Sequence, residues 1–223
     1  MQDERLQDER FCHFFLKTGA CRFGSCCQRT HPEVSSSRTL VAEGMFVDSA
    51  LEGLMRLCST SINPCLQVAK RRTMPDDEDL EEDLQVRADI KGEFKRSKET
   101  SNVNFRRFYA DVYPEFARFG EIVMFKCCNN LAPHLRGNVY VEFRTEADCT
   151  SCYKRMNGRY YAGRPLVLRY ISVSDWKTAI CAYNAQGRCP KLLDCNFLHV
   201  YENPSSAFAV GQRTARKRSR SRS

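Results

Sequence analysis

Apolar residues recur at Phe105, Phe108, Tyr109, Val112 and Phe116, the three- and four-residue spacing of a helix with one buried face. Pro114 falls inside that pattern, and its missing N–H predicts a kink or an early end. "GEIVMFKC", 120–127, then reads as a strand, and in "GNVYVEF", 137–143, Val139, Val141 and Phe143 alternate inward. Thr145 with Asp148 resembles a capping box, after which Cys149, Cys152, Tyr153 and Met156 share one face of a second helix that Gly158 ends. "PLVLRYI", 165–171, supplies the last strand and "RTLVAEGMF", 38–46, the first. The order is strand, helix, strand, strand, helix, strand, an α+β arrangement. The Cys149 and Cys152 pair is read as core packing on a helix face, not as a redox motif.

This assignment leaves 47–102 as an insertion between the first strand and the first helix. It contains "KRR" and then "DDEDLEED", seven acids in eight residues, which predicts a solvated and mostly disordered segment. Its opening part, "ALEGLMRLC", has helical spacing and could dock locally. No function is assigned to it.

Composition changes the picture through cysteine. With 223 residues, 42% hydrophobic and 28% charged, the chain has room for one ordinary domain and smaller modules. It opens on the charged repeat "MQDERLQDER", and no apolar run approaches the roughly 18 residues of a membrane span, so neither secretion nor a membrane partner is expected. Thirteen cysteines in such a chain point to metal sites or catalysis rather than a disulfide framework.

Spacing selects metal. Cys12, Cys21, Cys27 and His31 read C-x8-C-x5-C-x3-H, whereas Cys26 in place of Cys27 gives gaps of four and four. Cys181, Cys189, Cys195 and His199 read C-x7-C-x5-C-x3-H without ambiguity, and this second copy selects Cys27 in the first. Three thiolates and one imidazole suit a tetrahedral zinc ion with no position left for water, so two structural Zn2+ ions are expected. Such a group carries a formal charge of about −1, so basic side chains are needed before the loops attract phosphate. The first loop supplies Lys17, Arg22 and Arg29, and the second Arg188 and Lys191 against Asp194. Phe14 and Phe23 in the first and Tyr183 and Phe197 in the second are placed to stack on unpaired bases, while Phe15 is expected to cover its own metal core.

These loops resemble the CCCH zinc fingers of RNA-binding proteins, and residues 103–171 resemble most of an RNA-recognition motif (RRM), a ferredoxin-like βαββαβ fold. "RGNVYVEF" departs from the RNA-binding form: the two positions that carry sheet-face aromatics are Asn138 and Tyr140, leaving one exposed ring, and the first strand offers Val41 or Ala42 where another ring would stand. "SDWKTAIC", 174–181, could form a short helix from Ser174 that carries Trp176 over the sheet. The central domain is therefore expected to bind protein. Arg159-Tyr160-Tyr161 resembles the Arg-X-Phe motif of U2AF-homology-motif domains, which bind a tryptophan-containing peptide. Tyr161 replaces Phe and adds a hydroxyl that needs a partner, while Asp111 and Glu115 are placed to attract basic residues of such a peptide. A plain surface hairpin is the competing reading of 159–161.

The whole order is similar to the small subunit of the U2 auxiliary factor (U2AF), through "FLKTGACRFG", "PHLRGNVYVEF", "WKTAIC" and "CNFLHVYENP" nearest to its small-subunit-related branch. It comprises a charged segment 1–10, finger 11–34, atypical RRM 38–172 with the insertion, finger 174–204 and basic tail 205–223. The resemblance implies a nuclear, non-enzymatic pre-mRNA splicing factor that contacts the AG of the 3′ splice site and binds a U2AF large-subunit-like protein and other spliceosomal or RS-domain proteins. It also implies RNA contacts at Phe14, Arg22, Arg29 and Tyr183. Gln28 stands where the family commonly has Ser. The tail "RTARKRSRSRS" carries six of the net +8 charges and reads equally as a nonspecific basic or nuclear-import segment. A CCCH regulator of message decay or polyadenylation is the alternative function. An RNA-modifying enzyme lacks support, since no deaminase H-x-E with P-C-x-x-C pattern is present.

Overall fold

A computed structural model describes residues 8–51, 77–185, 188–191 and 194–204. The charged start up to residue 7, the "KRR" run, "ALEGLMRLC" beyond Leu51 and the basic tail lie outside the described residues. Strands β1 (Thr39–Ala42), β2 (Ile122–Cys127), β3 (Val139–Phe143) and β6 (Leu168–Ile171) form an antiparallel sheet in the order β2-β3-β1-β6. Between the second helix and β6, β4 (Tyr160–Tyr161) and β5 (Arg164–Pro165) make a small separate hairpin. Thus 159–161 does enter a hairpin.

Alternation along the strands explains the two layers. Leu40 and Ala42 of β1, Phe125 of β2 and Val139, Val141 and Phe143 of β3 point to one face. There they meet Phe105, Phe108, Tyr109, Val112 and Phe116 of α2 (Asp77–Ala117) and Cys149, Cys152 and Met156 of α3 (Glu146–Met156). Burial pushes both thiols up to about 12, so at neutral pH they are uncharged core side chains. Thr145 caps α3 by accepting from the Asp148 N–H at 3.1 Å.

Two expectations about the first helix change. The acidic stretch is not disordered from Asp77 onward, because α2 starts there and runs 41 residues. The sequence from Asp77 holds one glycine, Gly92, before Pro114, and is otherwise rich in good helix formers with acids at the N-terminal end, where the helix dipole favours them. The helix also passes through Pro114 and ends one turn later. Pro114 is exposed and gives up a single backbone donor in the last turn.

The opposite sheet face is covered too. Val41, Tyr140 and Ile171 pack with Ala20, Cys128, Leu135, Ala179 and Leu198, and Trp176 lies edge-on to Tyr140 with ring centroids 5.9 Å apart. Tyr140 is therefore not the exposed ring the motif suggested: it is fully buried, and its hydroxyl donates to the Thr18 carbonyl at 2.8 Å. Trp176 opens the short helix α4 (Trp176–Ala179), which begins after Asp175 rather than at Ser174 because the Asp175 carboxylate caps the Lys177 N–H. The indole N–H donates to Glu142 at 2.7 Å. Asn138, the other departure from the motif, is buried and accepts from the Gly44 N–H at 2.8 Å while donating to the His134 carbonyl. A side chain at the preceding Gly137 would place its Cβ 2.0 Å from the Phe46 carbonyl oxygen, at a φ of +65°.

A buried polar knot ties the start of the insertion to the long helix. Asp48 accepts from the Ala50 N–H, from Asn104, from Tyr201 and from the Ser101 hydroxyl, and is 2% exposed, so four donors replace the water it has lost.

Candidate metal centres and nucleic-acid interface

Each CCCH segment folds as a loop whose ends meet. In the first, the Cys12 N–H donates to the Thr30 carbonyl at 3.0 Å and the Thr30 N–H to the Arg10 carbonyl at 2.8 Å. In the second, the Cys181 N–H donates to Leu198 and the Leu198 N–H to Ala179, both at 2.9 Å. The positions relative to the ligands are the same: first ligand, the residue before the histidine, and the residue two before the first ligand. These bonds use backbone atoms only, so the two loops close alike although their closing residues differ.

Closure brings Cys12, Cys21, Cys27 and His31 together, and likewise Cys181, Cys189, Cys195 and His199, with the ligand atoms of each group within 4.8 Å of one another. Cys26 is exposed and outside the first group. Both donor sets fit a metal ion. His31 Nε2 and both ring nitrogens of His199 are buried without a hydrogen-bond partner, a costly state that a bound cation relieves. A hydrogen bond from Cys21 holds the Cys12 thiol below its ordinary value, and the same sharing raises Cys21. In the second group burial dominates: it pushes Cys195 up to about 12, raises Cys189 and lowers His199 to about 4.

The two loops touch. Phe14, on α1 (His13–Thr18), meets Phe197 edge-to-face at 5.9 Å, and Arg22 pairs with Asp194 at 3.0 Å, both partly buried. Phe15 stacks on its own ligand His31 at 4.3 Å and also lies under the Arg169 guanidinium, while Phe14 is engaged by Phe197, so neither ring stands free. Arg22 lies over Phe23 at 5.5 Å. Arg29 and Arg188 are exposed, Lys17 is half-buried, and Tyr183, on α5 (Ala182–Ala185), is 61% exposed. Of the side chains suggested for RNA, Phe14, Arg22 and Phe197 therefore spend contact area joining the loops.

The residues suggested for a protein partner divide differently. The Tyr161 hydroxyl donates to Asp111 at 3.0 Å, and desolvation together with that carboxylate pushes its pKa up to about 12. Its ring packs edge-on to Phe108 at 5.9 Å. Glu115 instead pairs with Arg118 at 2.8 Å, Arg159 approaches the Met156 sulfur, and Tyr160 is 75% exposed. A cleft beside Tyr161 is lined by Met45, Phe46, Val47, Phe108 and Asp111, so it lies between α2 and the residues after β1. Sequence reasoning did not reach Asn130, which accepts from the His199 N–H and donates to the Phe197 carbonyl, nor Arg169, which donates to the Gly19 carbonyl. Their spacing from those partners follows no local pattern.

Comparison with known proteins agrees with this architecture. The RNA recognition motif family model matches residues 101–167. A mouse protein named U2 small nuclear ribonucleoprotein auxiliary factor 35 kDa subunit-related protein 2-like is 38% identical over 95% of this chain and 43% of its own length. An Arabidopsis thaliana protein named Zinc finger CCCH domain-containing protein 5 is 33% identical over 91% of the chain and 22% of its own length. The Drosophila melanogaster protein named Splicing factor U2af 38 kDa subunit is 29% identical over 87% of the chain and 62% of its own length. The chain thus spans about two fifths of the length of the mouse relative. Over the length it shares with them, a finger, an RRM and a second finger in that order, the chain is similar to the proteins named U2 small nuclear ribonucleoprotein auxiliary factor 35 kDa subunit-related.

Proposed function

We propose that this chain is a nuclear pre-mRNA splicing factor that reads a short single-stranded RNA containing the AG of a 3′ splice site. The observation that carries the reading is the covered sheet: Val41, Tyr140 and Ile171 lie beneath the fingers and Trp176, so stacking on bases falls to the fingers themselves. They present exposed Tyr183, Arg29 and Arg188 on two loops joined through Phe14 and Phe197. The metal is zinc, which suits three thiolates and an imidazole and, when bound, neutralises the thiolates and fixes the loops. The eight ligands hold the loops in register, and the basic side chains hold phosphate. No reaction is assigned.

The partner is a U2AF large-subunit-like protein whose tryptophan enters the cleft beside Tyr161. The support is the Tyr161 ring over Phe108 and the exposed Asp111 carboxylate at the rim, suited to a basic peptide. Two modest contacts, one to RNA and one to a partner on the same RNA, select their target together through effective concentration.

The test is RNA binding by the metal-loaded chain, comparing a pyrimidine-rich oligomer ending in AG with its AC counterpart. Preference for AG, reduced by Tyr183→Ala by about 1–3 kcal/mol, supports the reading. Equal binding to both oligomers refutes it. Asp111→Lys should weaken a tryptophan-containing peptide and leave the RNA unchanged.

A further inference from the structure

A second cleft lies on the other side of the molecule's long helix, where α2 passes the second finger. It encloses about 530 Å3, within the range of about 300–1,000 Å3 typical of small-ligand sites and enough for a nucleotide. Its floor is rigid, because the Phe105 ring stacks on Tyr201 at 4.5 Å and Tyr201 is held by Ser101 and Asp48. Lys95, Lys98 and Arg106 line it from α2 at spacings that share one helix face. Among the described residues none of the three is in an ion pair, and Glu202 is the one acid on the wall. Phe94 adds a half-buried ring on that wall. Asn129 and Asn184 supply amides, and the Asn129 Oδ1 is a buried acceptor without a partner. Asn184 follows Tyr183, and the wall includes the metal ligand Cys189, so the cleft opens beside the second finger.

We propose that this cleft takes a further segment of the same single-stranded RNA, with its phosphates on Lys95, Lys98 and Arg106 and a base between Phe94 and the two asparagine amides. Cations without an ion pair among the described residues, a ring and one unsatisfied amide acceptor in one groove are the combination that binds single strands, and an acidic peptide would have no use for the ring and the acceptor. The inference rests on the fingers binding RNA, and it extends the strand beyond them along α2.

The experiment uses the full metal-loaded chain and two RNAs, one of about 4 nucleotides that only the fingers can engage and one of about 12 nucleotides that continues past them. The variant carries Lys95→Gln, Lys98→Gln and Arg106→Gln, all at exposed positions, and its circular dichroism is compared with the parent. On the long RNA the variant should lose about 10-fold in affinity, and its slope of log affinity against log salt should flatten by about 2. On the short RNA both proteins should bind alike. An unchanged slope and affinity on the long RNA overturns the inference, leaving the cations to an acidic protein segment. Equal losses on both RNAs also overturn it, since the lysines would then act on the fingers. Failure of the finger reading has a different signature: Tyr183→Ala changes nothing on the short RNA.

Discussion

The first finger touches the central domain through side chains, with the Tyr140 hydroxyl on the Thr18 carbonyl and the Arg169 guanidinium on Gly19. Gly19, at a φ of +68°, brings the end of α1 so close to β6 that a Cβ there would lie 2.7 Å from Ile171 Cγ2. The second finger is joined through backbone. The Asn129 N–H donates to the His199 carbonyl at 2.9 Å, and the Tyr201 N–H to the Cys127 carbonyl at 3.0 Å, so the exit of the finger pairs with the outer end of β2. Since β2 is an edge strand, that segment also covers donors and acceptors that would otherwise invite another chain. Burial follows the same division: all four ligands of the second group are buried, while Cys27 and His31 of the first are only partly so. One loop design thus serves as an attached module in one place and as part of the domain's frame in the other.

The strongest way to break this comparison is to remove a ligand from each finger. Cys195→Ser should lower the stability of the whole chain by several kcal/mol, because loss of the metal releases Leu198 and the Tyr201 pairing. Cys27→Ser should cost less in global unfolding while removing one metal equivalent, and Cys26→Ser should leave metal content unchanged. Thermal unfolding with metal analysis decides, and equal destabilisation by Cys27→Ser and Cys195→Ser would erase the distinction. A chelator provides the next contrast. Metal should leave in two phases, the faster from the half-buried Cys27 and His31 group, and a single phase would count against unequal protection.

The seam between the fingers gives smaller effects. In a double-mutant cycle on Arg22 and Asp194, partly shielded at 3.0 Å, the coupling should be about 1 kcal/mol, and a value near zero would mean that the loops are aligned by Phe14 and Phe197 alone. A pH-dependent effect concerns His134, behind this seam. Burial first, and the Arg22 charge second, lower its pKa from 6.5 to about 4. The unfolded chain then binds the proton more readily than the folded one, so stability present above pH 6.5 is lost as pH falls toward 4. The difference between the parent and His134→Leu isolates this slope from any metal release common to both.

Much of this was readable in order along the chain. The helical spacing from Phe105 to Phe116 and the alternation at Val139, Val141 and Phe143 each reported one buried face, because a side chain's neighbours across a layer impose the period of its own element. The metal groups were readable because a closed loop must return its ligands at fixed gaps. Tyr140 was misjudged for a related reason: a motif reports which face a residue points to, and not what covers that face. The acidic run misled because composition counts charge without seeing that the run forms the first turns of a helix with no proline before Pro114. Asn130, Arg169 and Asp48 act across 69, 150 and 53 residues of sequence, distances at which no local pattern survives.

The Asp48 knot has a consequence for engineering. It joins a residue at the mouth of the insertion to Ser101 and Asn104 near its far end, so the long detour between is closed at its base like a drawstring. Substituting Asp48 would cut that drawstring, freeing the residues after β1 from Ser101, Asn104 and Tyr201 in one step.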